Sequence, residues 1–509
     1  MADEHSPPKP LGQQALESYL WGAANLLRGL IDAGDYKQYV FPMLFFKRLS
    51  DVWDEDYRGA FDETGDRAYA EATANDKFTI PAGAHWSDVR QAAREVGRTL
   101  RSAFGTIEAA NPERLAGVFG AAPWTDKDQM PDATLKNLIE HFSKHTLSLA
   151  AVPEDELGNA YEYLVKQFAD DSGHTAQEFY TNRTLVHLMT RMLRPQSDER
   201  IYDPTAGTGG MLISALAEVR QGGGDARTLG LYGQEIIGTT ASIARMNLVL
   251  HGVEDFRIAV GNTLSNPSFI ERDHLMTFDV VLANPPYSIK TWNRDAWRND
   301  PWGRNVLGTP PQGRADYAFF QHILKSLDSR TGRCAILFPH GVLFRLEEAA
   351  MRRALIERDL VECVLGLGPN LFYNSPMEAC VVICRTRKPP DRRGRILFIN
   401  AVHEIARERA QSFLGPAHQE RIREAYDAFA DEPGFAAVAP GDVVLANSGN
   451  LSISRYVRRI DGPDPDGQTG GDLREAWSVF DTGSSAFWRE MDDLVAMVEG
   501  ITQEGRSDE

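Results

Sequence analysis

An α/β fold is predicted, built on a doubly wound, Rossmann-like sheet with a helical N-terminal domain before it and a helical C-terminal arm after it. Three observations predict it. Apolar strand-like runs recur with helical patterns between them from about residue 200 onward, a glycine-rich turn joins the first of these runs to a helix, and the opening 150 or so residues carry helical periodicity alone. In the first part, Leu20, Ala24, Leu27, Leu30 and Ile31, then Val40, Met43, Leu44, Phe46 and Leu49, recur at helical spacing, and Gly34-Asp35 breaks the run. Thr134 to Phe142 prolongs the pattern, and Pro153 and Gly158 punctuate it. Ile201-Tyr202-Asp203 reads as a strand end, Gly207 to Gly210 as a tight turn, and Met211 to Leu216 as the start of a helix. Leu229 to Glu235, Ile258 to Thr263 and Phe278 to Ala283 supply three further strand ends. After Asn400 the chain turns charged, and Val402 to Phe429 reads as helical with a break at Glu432-Pro433-Gly434. Asp461 to Asp472 reads as a linker, and Leu473 to Met497 as a last helix or two. The expected domains are residues 1–155, 156–400 and 401–509.

Composition fits a large enzyme. A chain of 509 residues, 42% hydrophobic, can bury a substantial core in two or three domains. The first ten residues are polar and proline-rich with no apolar signal segment, and no stretch approaches the ~20 apolar residues of a membrane span, so a cytoplasmic protein is expected. Cysteines number four; Cys380 and Cys384 share one apolar run without a second pair or nearby histidines, which predicts core packing in a reduced compartment and no metal site. The formal net charge of −18 opposes unaided binding to a polyanion.

The chemistry is concentrated in Asn284-Pro285-Pro286-Tyr287, at the end of an apolar run and about 80 residues after Asp203-Pro204-Thr205-Ala206-Gly207-Thr208-Gly209-Gly210. An exocyclic aromatic amine is a poor nucleophile because its lone pair is delocalised. An Asn side-chain oxygen and a prolyl carbonyl can each accept one of its N–H bonds, the prolines stiffen the turn, and the tyrosine offers a face for an extruded base. The strand, glycine turn and helix form the ligand corner of a doubly wound sheet, without the full dinucleotide or P-loop spacing. Glu235, 32 positions after Asp203, stands where such sheets place an acid for ribose hydroxyls, and the strand ending at Asn262 suits an adenine ring. Together these propose methyl transfer to a planar amino group.

Glu178-Phe179-Tyr180-Thr181, the Asp203 to Gly210 segment, Gly233-Gln234-Glu235 and Asn284 to Tyr287, in this order, resemble an N6-adenine DNA methyltransferase of the gamma arrangement. More narrowly, the chain resembles the modification (M) subunit of a type I restriction-modification system, with further matching strings at Arg314 to Phe319, Gly332 to Phe344, Asn370 to Tyr373 and Asn450 to Val457. The resemblance implies a methyltransferase domain over residues 156–400 that uses S-adenosyl-L-methionine. It implies cofactor contacts from Glu178, Phe179, Tyr180, Thr181, Asn182, Arg183, Asp203, Gly207, Thr208, Gly209, Gly210, Glu235 and Asn262. Asn284, Pro285, Pro286 and Tyr287 would hold the target base, with Phe372 or Tyr373 on its other face. Two departures stand out: Asn182 where the family usually has proline, and Asn262 where it often has aspartate. The implied partners are DNA, a specificity (S) subunit that chooses the target, a second copy of the chain and a restriction (R) subunit. The residues after 400 are the expected specificity-subunit contact.

Two basic segments oppose the acidic whole. Lys290 to Arg304 interleaves Trp292, Trp297 and Trp302 with four basic residues and either covers a flipped base or tucks its tryptophans inward. Arg385 to Arg395 either reaches phosphate or forms a solvated hairpin. Two other functions stay open on the residues alone: a protein glutamine-amide methyltransferase, because glutamine presents the same planar NH2, and a catalytically silent assembly subunit.

Overall fold

The computed structural model describes residues 12–171, 181–287, 289–369, 371, 379–408 and 411–457. Its N-terminal layer is helical: α1 (Gln13–Asn25), α2 (Lys37–Thr64), α3 (Val96–Ala110), α4 (Asp132–Phe142) and α5 (Glu154–Asp171). The first half of α2 is buried on every side, with Tyr39, Val40, Phe41, Met43, Leu44, Phe45 and Phe46 at 2% exposure or less, so it is the central rod of this layer. It stops at Gly65, whose φ of 66° is cheap only for glycine and whose N–H donates to the Phe61 carbonyl at 2.7 Å.

The middle of α2 carries a polar stripe from Arg48 to Glu55, and that stripe grips the loop leading to α5. Arg48 Nη1 donates to the carbonyls of Leu147 (2.5 Å), Ser148 (2.9 Å) and Val152 (2.7 Å). Asp51 accepts from the Leu147 N–H at 2.6 Å, and Glu55 from the N–H groups of Leu149 and Ala150 at 2.8 and 3.1 Å. Spacings of three, four and seven residues put all three side chains on one stripe of the helix. The loop they hold fixes where α5 begins.

The central sheet has nine strands: β1 (Arg200–Asp203), β2 (Gly230–Glu235), β3 (Phe256–Val260), β4 (Val280–Ala283), β5 (Arg333–Pro339), β6 (Val361–Leu367), β7 (Ala379–Arg385), β8 (Arg395–Ala401) and β9 (Ala436–Pro440). Their spatial order is β9-β8-β6-β7-β5-β4-β1-β2-β3. The run β3-β2-β1-β4-β5 is parallel; β7 is antiparallel to both β5 and β6, β8 is parallel to β6, and β9 closes the far edge antiparallel. Every residue of β4, β5 and β6 is buried, which is why these strands read as mainly apolar runs without alternation, their two charges, Arg333 and Glu362, being held in ion pairs. On one face pack α6 (Arg183–Leu193), α7 (Gly210–Gln221) and α8 (Gly238–Leu250); on the other, α9 (Asp316–Lys325) and α10 (Ala349–Glu357). Ile243, Met246 and Leu250 of α8 also enter the core of the N-terminal layer, and Tyr161 of α5 donates to the Ile243 carbonyl at 3.1 Å.

The segment after Asn400 differs from the expected helical arm. Residues 406–408 and 411–413 form a small hairpin, α11 spans only Pro416–Ala428, and Ala436–Pro440 joins the central sheet as β9. The Arg, Glu and Ala content of 402–429 favours a helix, yet Pro416 at the first helical turn sets where one can start. Beyond Glu432 a short Ala/Val run finds an open sheet edge, and pairing with β8 overrides its weak strand propensity. The expected linker at Asp461 to Asp472 and the helices of Leu473 to Met497 lie outside the described residues. All four cysteines are free and buried, and Cys334 faces Cys384 across the β5–β7 pair, inside the apolar core.

Replacing Arg48 with methionine keeps its apolar bulk and strands three carbonyls in a buried loop. The expected outcome is a loss of about 3 kcal/mol in unfolding free energy. A urea titration in which Arg48→Met unfolds at the wild-type midpoint would remove this clamp from the account.

Candidate functional site

β1 lies between β2 and β4, so the chain leaves it in opposite directions on its two sides and a crevice opens at the carboxyl ends. Into this crevice the chain turns from Asp203 through Pro204 to Gly209 before α7 begins. Gly207 and Gly209 hold φ of 53° and 82°, left-handed values that favour glycine. The turn is braced from β2: the Ala206 N–H donates to the Gln234 carbonyl (2.9 Å) and the Gly207 N–H to Glu235 Oε2 (3.0 Å). Glu235 Oε1 accepts from the Ile237 N–H at 2.9 Å, so one carboxylate ties the glycine turn to the end of β2. A Cβ on Gly233 would lie 2.7 Å from Ile258 and 2.9 Å from Ala206, which is why the strand before the acid contains a glycine.

Asp203 is 1% exposed and accepts from the Thr205 N–H at 2.9 Å. Burial pushes its carboxyl up to about 7, and the nearby Glu235 charge adds to the rise. Asn247 of α8, fully buried, donates to the Thr208 carbonyl at 3.0 Å. Arg183, first residue of α6, passes so close to α7 that a Cβ on Gly210 would meet its Nη1 at 3.0 Å, and it forms an ion pair with Glu162 of α5. The helical layer therefore reaches the glycine turn through a charged pair.

The same crevice is lined by Thr181, Arg183, Asp203, Gly207, Thr208 and Asn284, so residues a hundred positions apart share one wall. Asn284 follows directly on β4. Its Nδ2 donates to Thr181 Oγ1 at 2.9 Å, and its Oδ1 accepts from the Tyr287 hydroxyl at 2.8 Å. The carbonyl expected to hold an amine thus already carries one hydrogen bond, and Tyr287 turns its hydroxyl toward Asn284. Pro285 is buried and Pro286 exposed. Burial raises the Tyr287 hydroxyl well above its ordinary pKa, so it stays a donor.

The two departures acquire structural partners. Asn182 caps α6 through the Thr184 N–H (3.0 Å), and its amide donates to the Ser412 carbonyl (3.0 Å) in the hairpin, so both polar atoms of its side chain are engaged. Asn262 is exposed at the end of β3, and its Oδ1 accepts from the N–H groups of Leu264 (2.9 Å) and Ser265 (3.1 Å), shaping the turn. Thr263 Oγ1 then donates to the Pro204 carbonyl at 2.6 Å, joining that turn to the glycine turn. Glu178, Phe179, Tyr180, Phe372 and Tyr373 lie outside the described residues.

Ile236 and Val260, at the ends of β2 and β3, are 60% and 49% exposed. Two large apolar side chains left open beside the crevice were missed from sequence, although Ile236 directly after a strand-ending acid was a usable signal. Asn247 and Glu162 were also missed, since each looks like an ordinary polar helix residue. In the tryptophan-rich segment, Trp297 and Arg304 are buried and face inward. In Arg385 to Arg395, Arg385 and Arg392 pair with Glu362, and Lys388 with Asp359, so half of its cations are structural. Among the described residues no group of His, Cys, Asp and Glu could hold a metal ion, and no helix is long and apolar enough to cross a membrane.

The sequence model described as N-6 DNA Methylase matches residues 152–464, well over half of the 509 residues. The chain belongs to the N-6 DNA methylase family. A second model, the HsdM N-terminal domain, matches residues 16–142 of this methylase. It is 28% identical to the type I restriction enzyme MjaVII methylase subunit of Methanocaldococcus jannaschii, over 95% of this chain and 83% of that one. It is 27% identical to the MpnII methylase subunit of Mycoplasma pneumoniae, over 87% and 89% of the two chains. The crystal structure of the type I restriction-modification methyltransferase subunit from Streptococcus thermophilus superposes with a TM-score of 0.77 at 30% identity, covering 88% of this chain and all of that one. The methylase therefore groups with the methyltransferase subunits of type I systems.

The raised Asp203 carboxyl has a definite sign. In the folded methylase it keeps its proton up to about pH 7, whereas the unfolded chain loses it near 4; its contribution to stability is present below that lower value and is lost as pH rises to 7. Asp203→Asn keeps the acceptor for Thr205 and removes the titration. Its melting temperature relative to wild type should therefore climb between pH 4 and 7 and level off above; a difference independent of pH in thermal melts would contradict the shift.

Proposed function

We propose that this chain transfers the methyl group of S-adenosyl-L-methionine to N6 of an adenine flipped out of duplex DNA, as the modification subunit of a type I restriction-modification complex. One observation carries the reading: the glycine turn after β1 and the Asn-Pro-Pro-Tyr turn after β4 line a single crevice. The first is built for a nucleoside cofactor and the second for a planar amine.

The residues present fit that cofactor. The left-handed glycines let backbone approach it closely, Glu235 stands at the end of β2 where ribose hydroxyls would lie, and Ile236 and Val260 offer apolar contact to an adenine ring. Asp203, Arg183, Thr181 and Thr208 would face the methionine end. When bound, the cofactor supplies an electrophilic methyl on a sulfonium. What the chain supplies is orientation: Asn284 Oδ1 and the Pro285 carbonyl would each accept one N–H of the adenine amine, aiming its lone pair along the transfer line. The Tyr287 ring would stack on the base, with Phe372 or Tyr373 on the other side. No base need take the proton before the methyl arrives.

The chain's net charge of −18 bears on partners, because phosphate repels it. In the proposed complex a specificity subunit supplies base readout and positive charge, two copies of this chain flank it, and a restriction subunit can join. Residues 1–155 would close over DNA, 156–400 carry the transfer, and 401–509 meet the specificity subunit. The N-terminal match to the HsdM domain favours this reading over a glutamine-amide methyltransferase.

Asn284→Ala should leave S-adenosylmethionine binding within twofold and lower kcat for N6-methyladenine formation by about 100-fold or more, the scale of losing one transition-state hydrogen bond. Label from the cofactor, counted in genomic DNA with the chain and its specificity partner, reads this out; wild-type transfer by the variant would overturn the assignment. Tyr287→Phe and Tyr287→Ala separate two roles. The first removes only the hydroxyl on Asn284 and should change kcat less than about tenfold, whereas the second removes the stacking face, worth about 1–3 kcal/mol.

A further inference from the structure

Arg304 is 1% exposed, yet it sits in the segment that follows the Asn284 turn, where a surface cation was the simplest expectation. Its Nε and Nη2 donate to Asp300 Oδ1 at 3.0 and 2.6 Å, and both partners of this pair are almost completely buried. Nη1 donates to the Thr263 carbonyl at 2.9 Å and Nη2 to the Leu264 carbonyl at 2.7 Å. Trp297 and Trp302 lie against the guanidinium, 4.5 and 4.8 Å from ring centroid to the central carbon. Nη1 also meets His322 Nδ1 at 3.3 Å. Arginine only donates, so Nδ1 is the acceptor and His322 is the neutral Nε2–H form; that Nε2 lies 3.1 Å from the Tyr202 hydroxyl, one residue before Asp203.

A buried Arg–Asp pair is a poor way to stabilise a fold, since apolar residues of similar volume do as well or better. What a guanidinium does, and methionine or leucine cannot, is hold acceptors from separate segments in one plane. Here those acceptors belong to the segment after the Asn284 turn (Asp300), the turn after β3 (Thr263 and Leu264) and α9 (His322). The link continues, because Thr263 Oγ1 donates to the Pro204 carbonyl at the start of the glycine turn.

We propose that Arg304 is a positioning residue that couples the adenosine side of the crevice to the Lys290–Arg304 segment beside the target-base turn, so that filling one orders the other. The proposal rests on the methyltransferase reading given above. Adenosine seated between Ile236 and Val260 restrains the Asn262–Ser265 turn; Arg304 is anchored on two carbonyls of that turn; and the half-buried Trp292 and exposed Lys290 and Arg298 ride on the segment that Arg304 anchors. A cofactor-bound enzyme then presents a stiffer segment to an incoming base than an empty one does.

Four forms of the full chain test this: wild type, Arg304→Lys, Arg304→Met and Thr263→Val, each checked for folding by circular dichroism and melting. Calorimetry gives the Kd for S-adenosylmethionine, and tryptophan emission with and without cofactor, with Trp302→Phe subtracted to isolate that residue among the nine tryptophans, reports the Trp297–Arg304–Trp302 stack. Wild type should bind and change its emission. Arg304→Lys keeps the charge but cannot reach both carbonyls, and should weaken the cofactor by about tenfold or more. Thr263→Val, which cuts only the Pro204 link and is the milder change should Arg304→Met not fold, should lose most of the emission response. Folded Arg304→Lys with wild-type Kd, or Thr263→Val with the full response, overturns the coupling while leaving the methyltransferase reading intact. Absence of binding by wild type overturns that reading and the coupling with it.

Discussion

The constraint on which the rest depends is the place of β1 between β2 and β4, with all three parallel. Parallel strands bring their carboxyl ends to one edge, so whatever follows each strand must share the same space. β1 delivers the glycine turn, β2 delivers Glu235 and Ile236, and β4 delivers Asn284. No loop needs to travel for the proposed cofactor and base sites to meet. The strand order does work that no side chain could do alone, and the side chains then refine it: Glu235 holds the glycine turn through Gly207, and Thr263 holds it through Pro204.

The helical layer is tied into this edge by polar rather than apolar contacts at the decisive points. Arg48, Asp51 and Glu55 of α2 fix the loop 147–152, the loop sets the start of α5, and α5 carries Glu162 to Arg183. Apolar packing of α8 into the N-terminal core brings the layers together, but it tolerates sliding. Directional bonds to carbonyls and a charged pair do not. The layer thus has a fixed register against the crevice, as the proposed closing of this layer over DNA beside an undisturbed crevice would require.

Most of this edge was legible in the chain itself. The glycine turn, the acid ending β2 and the Asn-Pro-Pro-Tyr turn were found because each couples an apolar strand to residues with special backbone or hydrogen-bonding demands, and such demands leave a local trace. Arg304 was not legible, because its burial is decided by acceptors at Thr263, Leu264 and His322, which sequence spacing does not reveal. The same holds for Asn247 and Glu162. Strand β9 escaped for a different reason: Ala436 to Ala439 has little strand propensity, and only the open edge of β8 makes it a strand. Asn182 and Asn262, noted as departures, turn out to cap a helix and shape a turn; a proline at 182 could not cap, whereas an aspartate at 262 could accept the same two N–H bonds.

The hydrogen bond from Tyr287 to Asn284 bears on how a base could enter. A fully buried amide oxygen without a donor costs about 1–3 kcal/mol, and the half-buried Asn284 gains part of that from a partner that satisfies its oxygen. The Tyr287 hydroxyl does so, and Thr181 satisfies the amide nitrogen, which together fix the side chain's rotation before any base arrives. In the proposed complex an adenine amine would take its place on Oδ1, one hydrogen bond replacing or joining another with a small net change. The gain must then come from elsewhere, and stacking of the base on the released tyrosine ring is the term of the right size. On this view Tyr287 keeps the acceptor aimed while the site is empty and becomes the stacking face when it is filled. The two roles are compatible because the residue sits three positions after Asn284, on a turn that Pro285 and Pro286 keep stiff.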